Sequence, residues 1–333
     1  MIERAGEAPV LAETLAELET RAEAYFRSAR APSTVKAYAH DLSDFATWCK
    51  VDASGLSPIP AAPRTVALYV SDLAGRGLKA ATIQRRLAAI AQLHQEAGLE
   101  DPTKTKAVKN TYRGILKEIG SYQEGKAPML ASTVRRVLAT FEGEPGAAAA
   151  RDRALLLLGL AGGYRVGELA SLLLGDVEFV DEGAVVLLRS SKTDQKGGGF
   201  YKGIPHGDHA RTCPVSHLRA WMSYLPGGSS GEGFVFRGVD RNGNVRGGKS
   251  PIRPMAADSI SRVVKKRARV AGLDESRYSG HSLRAGFVTG ASEGGAHDKD
   301  IMRQTAHRSL STLYRYRRTT GLFENNAASL LGL

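Results

Sequence analysis

Two tyrosines lie among arginines near the end of the chain, in the stretch HRSLSTLYRYRR at 307–318. Tyr314 and Tyr316 are two residues apart, and four arginines surround them. A free phenol has a pKa of ~10 and is a poor nucleophile at neutral pH, but nearby positive charge favours the phenolate. The stretch has the groups for nucleophilic attack by a tyrosine. Taken alone, it is better explained as an amphipathic surface helix whose tyrosines pack their rings and expose their hydroxyls to water.

Other short stretches carry side chains that can bind a phosphate or move a proton. They are YRVGE at 164–168, SKT at 191–193, GHSLRAG at 280–286 and AHRS at 306–309. Each alone is typical of ordinary structure: a helix surface pair, a solvated lysine in a hairpin, or a polar helix start. Together they give the order Arg, Lys, His-x-x-Arg, His, Tyr, with nine residues from His307 to Tyr316.

The charge of the chain favours a polyanionic partner. The 333 residues carry a formal net charge of +12, although residues 1–26 hold six acids and two arginines. The remaining residues therefore concentrate the positive charge, which suits nucleic acid. A merely basic soluble protein is the plainer alternative. The hydrophobic fraction of 42% is ordinary for a globular protein.

Several classes of protein do not fit the sequence. No apolar run approaches the ~20 residues of a membrane span, and the acidic N-terminus is unlike a signal peptide. Cys49 and Cys213 lack metal-ligand spacing and are too few for a disulfide framework. The chain also lacks a phosphate-binding loop and a carboxylate cluster suited to two metals. We therefore expect no cofactor, no metal, no small-molecule substrate, no membrane and a cytoplasmic location near the nucleoid.

The elements that must position these residues are mostly helices. Apolar periodicity predicts helices at 33–49, 65–74, 83–97, 104–119, 132–141 and 152–160, a strand at 184–190, a flexible hairpin at 191–206 and further helices from 214 onward. Ser33 and Thr82 are the expected caps of two of these helices. The fold class is therefore mostly α with a small antiparallel β-sheet. The polar stretch GSYQEGKAP at 120–128 is expected to be a linker between two domains.

The helix at 83–97 has one apolar and one basic side. Ile83, Leu87 and Ile90 share a stripe, and Arg85 points nearly opposite. A helix of this kind can lie in a DNA major groove, with arginines reaching phosphate or guanine. We predict DNA contacts from Lys79, Arg85 and Arg86, and a solvated face is the alternative.

The ordered stretches resemble the tyrosine recombinase (phage integrase) family over nearly the whole chain. The segments TVKAYAHDLSDFATWCK and RGLKAATIQRRLAAIAQLHQEAGL are similar to its core-binding helices, especially those of the Cre branch. The resemblance implies catalytic roles for the residues at the motif positions, which are Arg165, Glu168, Lys192, His281, Arg284, His307 and Tyr316. One departure is Ala306, where many relatives have Gly before the histidine.

The resemblance also implies a mechanism. Tyr316 would attack a DNA phosphodiester, His281 would take its proton, and Lys192 would protonate the leaving 5′-oxygen. Arg165, supported by Glu168, and Arg284 would bind the non-bridging oxygens, with a further hydrogen bond from His307. The 3′-phosphotyrosine intermediate would be resealed by another strand through a Holliday junction. Relaxation of DNA, as by type IB topoisomerases, and an inactive DNA-binding regulator are alternatives, and Tyr314 is the alternative nucleophile.

The same resemblance implies a two-domain C-shaped clamp on double-stranded DNA. The expected parts are an acidic arm at 1–26, a helical core-binding domain at 27–119, the linker at 120–128, a catalytic domain at 129–318 and a C-terminal helix at 319–333. The apolar tail is expected to be exchanged between subunits of a homotetramer on paired recombination sites. Packing of the tail on its own domain is the alternative.

Overall fold

The structure is a computed structural model that describes most of the chain. The described residues are 14–28, 30–52, 55–122, 125–189, 198–228, 232–247, 252–314, 316 and 331. The chain forms two compact units, Met1–Glu124 and Gly125–Leu333, with their boundary inside the predicted linker. Lys192 and nearly all of the predicted C-terminal helix at 319–333 lie outside the described residues.

The N-terminal unit is helical throughout its described part. Its helices are α1 (Leu15–Ser28), α2 (Pro32–Val51), α3 (Pro63–Gly75), α4 (Ala80–Glu96) and α5 (Lys106–Ile119). Helices α2 to α5 correspond to the four predicted between 33 and 119. Helix α1 overlaps the end of the predicted acidic arm.

Helices α2, α3 and α4 begin one to three residues earlier than predicted, and for α2 and α4 this changes the residue that caps the helix. Pro32 lies in the first turn of α2, where a backbone N–H would have no partner within the helix, so a proline is tolerated there. The N-cap is therefore Ala31 and not Ser33. In α4 the Lys79 carbonyl already accepts the first helical hydrogen bonds, which places Thr82 inside the first turn. The predicted caps at Ser33 and Thr82 are therefore wrong.

Aromatic rings form the centre of the N-terminal core. The ring of Tyr69 packs at 4.8 Å from Phe45 and 5.2 Å from Trp48, in tilted arrangements. Helix α4 adds a fully buried histidine, His94, whose Nε2 accepts from the Ala61 N–H and whose Nδ1 donates to the Ile90 carbonyl. Because both ring nitrogens are satisfied, the buried polar ring is tolerated.

The C-terminal unit is built around one apolar helix. Its described helices are α6 (Ala131–Ala139), α7 (Ala147–Ala161), α8 (Val166–Ser171), α9 (Pro214–Met222), α10 (Ala257–Val270), α11 (His281–Glu293), α12 (Asp298–Thr305) and α13 (Leu310–Tyr314). Helix α7 is apolar on nearly all sides, as expected of a buried helix, and packs against α9 and α11. Helix α7 ends at Ala161, shortly before Arg165, the first arginine of the motifs.

A small antiparallel sheet completes this unit. Its strands lie in the order β1 (Val177–Val180), β2 (Gly183–Leu188) and β3 (Phe200–Pro205). Strand β2 was predicted, whereas β3 lies in the segment predicted to be a flexible hairpin. A lysine at an inward position of β3 hides its apolar alternation in the sequence. The mostly helical fold with a small antiparallel sheet is confirmed. Within the described ranges, we find no helix with the length and apolar character needed to cross a membrane.

Candidate active site

Arg165 lies at the turn between α7 and α8. The turn contains Gly163, whose φ of +55° favours glycine. The Arg165 N–H donates to Glu168 Oε2 at 2.9 Å, and its Nη1 donates to Glu168 Oε1 at 2.7 Å. Glu168 is buried, so this carboxylate fixes both the backbone and the guanidinium of Arg165. The support of Arg165 by Glu168 that the sequence predicts is present in this geometry.

Arg284 projects from the first turn of α11 and is fully buried. Its Nη1 donates to the Gly163 carbonyl at 2.7 Å, and its Nη2 donates to the Thr305 carbonyl at 2.6 Å. Nη2 also lies 2.9 Å from Nε2 of His307. The guanidinium therefore joins the turn before Arg165 to the end of α12. Burial and the nearby charge of Arg165 lower the pKa of Arg284.

His307 is held by hydrogen bonds on both ring nitrogens. Because Arg284 can only donate, Nε2 is the acceptor and Nδ1 carries the proton, which it donates to Thr305 Oγ1 at 2.7 Å. Thr305 Oγ1 in turn donates to the Ile301 carbonyl. Burial and the charges of the arginines lower the pKa of His307 to about 3. In this arrangement the neutral ring orients Arg284, and since both of its nitrogens are engaged, it does not offer the phosphate the hydrogen bond that the resemblance implies.

The backbone before His307 adopts a left-handed conformation. Ala306 ends α12 with a φ of +53°, a region that non-glycine residues enter at a cost of about 1–2 kcal/mol. The turn directs His307 back toward Arg284. Glycine would enter this region without that cost, so Ala306 makes the turn with strain.

Tyr316 reaches the same cluster, whereas Tyr314 does not. The hydroxyl of Tyr316 lies 2.7 Å from Nε2 of His281. Its ring centroid is 5.6 Å from that of His281 and 5.5 Å from that of His307. Tyr314 is about half exposed and donates to Asp298. Of the two tyrosines, only Tyr316 is placed beside the histidine that the sequence nominates as its proton acceptor.

His281 is suited to accept a proton. Its side chain is partly exposed to solvent, yet the surrounding protein removes enough water from the ring to change its pKa. Desolvation and the positive charges of Arg284 and Arg165 lower the pKa of His281. The ring is therefore neutral at pH 7, and its Nε2 can accept the hydrogen bond of the phenol.

The structure also brings a lysine into this region that the sequence did not single out. Lys202 on β3 is almost fully buried, and its Nζ donates to the Gly162 carbonyl at 2.7 Å. Burial, partly offset by Glu168 and reinforced by both arginines, lowers the pKa of Lys202 to about 7. The available signal was the alternation of Phe200, Lys202 and Ile204 on one face of a strand.

The predicted DNA contacts of the N-terminal unit are corrected for one arginine. Arg86 borders the apolar stripe of α4, where it is buried and forms ion pairs with Asp41 and Asp44, so its guanidinium is not available for the predicted DNA contact. Arg85 is partly exposed and pairs with Asp41, and Lys79 is exposed. DNA contact by Arg85 and Lys79 stays a prediction.

Lys192 belongs to the part of the chain outside the described residues, and its role stays a prediction. Across the ranges that the structure describes, no three His, Cys, Asp or Glu side chains come together as a metal site would require. The arrangement of two arginines, two histidines and a tyrosine is one that can bind a phosphodiester and transfer a proton from a phenol.

Comparisons with known proteins agree with this arrangement. The Phage integrase family matches residues 127–321, and the N-terminal SAM-like domain of phage integrases matches residues 23–101. An integrase/recombinase XerD homologue of Selenomonas ruminantium is 35% identical over 93% of this chain and 88% of its own length. Recombinase Cre of Escherichia phage P1 is 24% identical over 82% of this chain and 80% of its own.

A solved structure shares the fold. The crystal structure of a lambda integrase tetramer bound to a Holliday junction aligns with a TM-score of 0.58 and 18% identity, covering 92% of this chain and 78% of that one. The chain therefore belongs to the phage integrase family and is a site-specific tyrosine recombinase, an enzyme that cuts and rejoins DNA.

Proposed function

We propose that Tyr316 is the nucleophile and that His281 is its general base. The phenol oxygen attacks the scissile phosphorus, the P–O5′ bond breaks, and a 3′-phosphotyrosine linkage forms. The phenol proton passes to Nε2 of His281, across the 2.7 Å contact that carries this proposal. Lys192 supplies a proton to the departing 5′-oxygen. The phosphodiester is conserved in the linkage, so a 5′-hydroxyl reseals it by the reverse reaction.

We propose that Arg165 and Arg284 stabilise the charge that develops on the non-bridging oxygens. Planar guanidiniums present forked donors that match a phosphate, which a lysine cannot copy. Both are held before substrate arrives, Arg165 by Glu168 and Arg284 by backbone carbonyls. Because these donors are already oriented, they need little reorganisation when the transition state forms. His307 supports this clamp through Arg284.

The partner is proposed to be double-stranded DNA with two recombination sites. The excess of basic over acidic residues supports DNA binding. We expect the affinity for DNA to fall steeply with salt concentration, because the release of counterions from the DNA contributes less free energy at high salt. The lambda integrase with the same fold was crystallised as a tetramer on a Holliday junction. By analogy we propose that four copies of this chain assemble on paired sites and exchange strands in sequence.

The apolar tail is proposed to link neighbouring subunits. The segment 322–333 is rich in apolar residues, namely Leu322, Phe323, Leu330, Leu331 and Leu333. Deletion of 322–333 is expected to leave cleavage of a single site intact while weakening assembly on paired sites, measured by native gel mobility. Unchanged assembly would assign the tail to its own domain.

The reaction is tested in two steps. Sites are first selected from a random DNA library by trapping covalent protein–DNA adducts. A plasmid with two selected sites is then compared with a supercoiled plasmid that has none. A recombinase exchanges the two sites and leaves the second plasmid supercoiled. Relaxation of both plasmids without exchange would support topoisomerase-like activity instead.

A further inference from the structure

Lys202 occupies a position where a strand of this fold should carry an apolar side chain. It faces the core from β3, between Phe200 and Ile204 on the same face, and pairs in register with Val186 of β2. Only 1% of the residue is exposed. An ammonium buried in this way is unfavourable unless it makes compensating interactions. Valine or leucine would fill the position without this penalty, so a buried lysine here requires a reason.

The hydrogen bond of Lys202 and its nearest ring contact are both to the turn before Arg165, and its ammonium also lies 5.6 Å from the ring centroid of Phe200 on the same strand. Its Nζ donates to the Gly162 carbonyl at 2.7 Å and lies 4.2 Å from the ring centroid of Tyr164. The charge that favours the ammonium comes from Glu168, the carboxylate that also holds Arg165. Lys202 therefore contacts the two residues that flank Gly163, immediately before Arg165.

Arg284 also donates a hydrogen bond to this turn. The guanidinium donates to the carbonyl of Gly163, and Lys202 donates to the carbonyl of Gly162. Two buried donors, from β3 and α11, thus hold adjacent carbonyls of the turn. A Cβ at Gly162 would come within 2.0 Å of the Tyr164 ring, so the backbone at Gly162 is packed closely against that ring. Movement of this turn would move the backbone from which Arg165 projects.

We propose that Lys202 is a positioning residue for Arg165, fixing the turn that aims its guanidinium at the scissile phosphate. The inference rests on the proposed function, in which Arg165 binds that phosphate. Lys202 itself touches neither substrate nor the reacting atoms in this role. The lowered pKa of Lys202 agrees with the geometry, because it reflects an ammonium kept in a site that resists charge. Such a residue trades stability for the accuracy of the clamp.

The test begins with Lys202→Met, which keeps an unbranched side chain one atom shorter and removes the donor and the charge. Formation of the covalent adduct is followed under single-turnover conditions on a nicked duplex that carries a selected site. We expect a rate about 10- to 100-fold lower than that of the unaltered protein. DNA affinity should be unchanged within about twofold, and the urea midpoint should be equal or higher, because an apolar side chain suits the site. Ile204→Met, at the next inward position of β3, is the matched control and should keep the rate.

A double-mutant cycle separates positioning from general packing. In an Arg165→Lys background, Lys202→Met should slow adduct formation by less than about threefold, since the group that it positions is gone. Lys202→Arg, which keeps donor and charge, should recover most of the lost rate. If Lys202→Met does not fold, Lys202→Gln replaces it in the cycle, because its shorter side chain withdraws the donor from Gly162.

Two outcomes overturn the proposal: an unaltered rate in the Lys202 variant, or an equal fold-loss in both backgrounds. These outcomes differ from a failure of the proposed function itself. If the unaltered protein forms no adduct through Tyr316, the assignment of the nucleophile fails first. If it does form the adduct and Lys202→Met forms it equally fast, only the positioning role of Lys202 is lost.

Discussion

The hydroxyl of Tyr316 and Nε2 of His281 lie 2.7 Å apart, although 35 residues separate them in the chain. His281 begins α11, and Tyr316 follows α13. The contact pairs a phenol with a ring whose pKa is lowered by desolvation and by two arginines, so the ring is free to accept a proton at neutral pH. The proposed nucleophile and its proposed general base therefore lie in hydrogen-bond contact within one chain.

Replacement of Tyr316 by phenylalanine should abolish the covalent adduct while leaving DNA affinity within about twofold, because only the attacking oxygen is removed. Adducts on a nicked duplex are measured by denaturing gel electrophoresis. Tyr314→Phe is the matched control and should form adducts at the unaltered rate, since its hydroxyl contacts Asp298 instead. An adduct formed by the Tyr316 variant but not by the Tyr314 variant would reverse the assignment.

Replacement of Lys192 by alanine should slow cleavage by about 10²- to 10⁴-fold, the usual contribution of a general acid. A substrate with a 5′-bridging sulfur should restore most of the rate, because a thiolate leaves without a proton. Lys196→Ala, in the same stretch of the sequence, serves as the control and should be unaffected with either substrate. Equal slowing on the oxygen and sulfur substrates would remove Lys192 from the acid role.

His307 should make the protein less stable in acid. In the folded protein its pKa is about 3, whereas an unfolded histidine has a pKa of about 6.5. Below pH 6.5 the unfolded chain takes up a proton that the folded chain does not, so stability falls as pH falls. The loss from this group should approach about 1 kcal/mol per pH unit between pH 6 and 4.

The measurement is urea unfolding at several pH values in His307→Gln, which should show a shallower acid dependence than the unaltered protein. His209→Gln removes an exposed histidine and should leave the dependence unchanged. Parallel curves for the unaltered protein and the His307 variant would show that the ring does not stay neutral in the folded state.

Replacement of Ala306 by glycine should stabilise the protein by up to about 1 kcal/mol, because glycine enters the left-handed region without steric penalty. The free energy of unfolding in urea measures the change. Ala220→Gly, at an exposed helical position of α9, should have the opposite effect and cost about 1 kcal/mol. A loss of stability at both positions would mean that the turn at Ala306 carries no strain.

Much of the helical framework could be read from periodicity, and its errors have local causes. The start of α2 was missed because Pro32 can begin a helix, which moves the cap back to Ala31. Strand β3 was missed because Lys202 interrupts an otherwise apolar alternation. The DNA contact predicted for Arg86 is corrected because periodicity cannot tell a solvated guanidinium from one that forms ion pairs within the protein.

The sequence by itself determined the helical character of the chain, its division near residues 120–128 and the types of side chain available for phosphoryl transfer. These follow from local periodicity, turn residues and motif spacing, which are properties of neighbours along the chain. Only the tertiary structure decided that Tyr316 rather than Tyr314 meets His281, that His307 orients Arg284, and that Lys202 holds the turn before Arg165. Those relationships depend on the packing of α7, α11 and β3 against one another, and contacts between distant segments leave no periodic signal in the sequence.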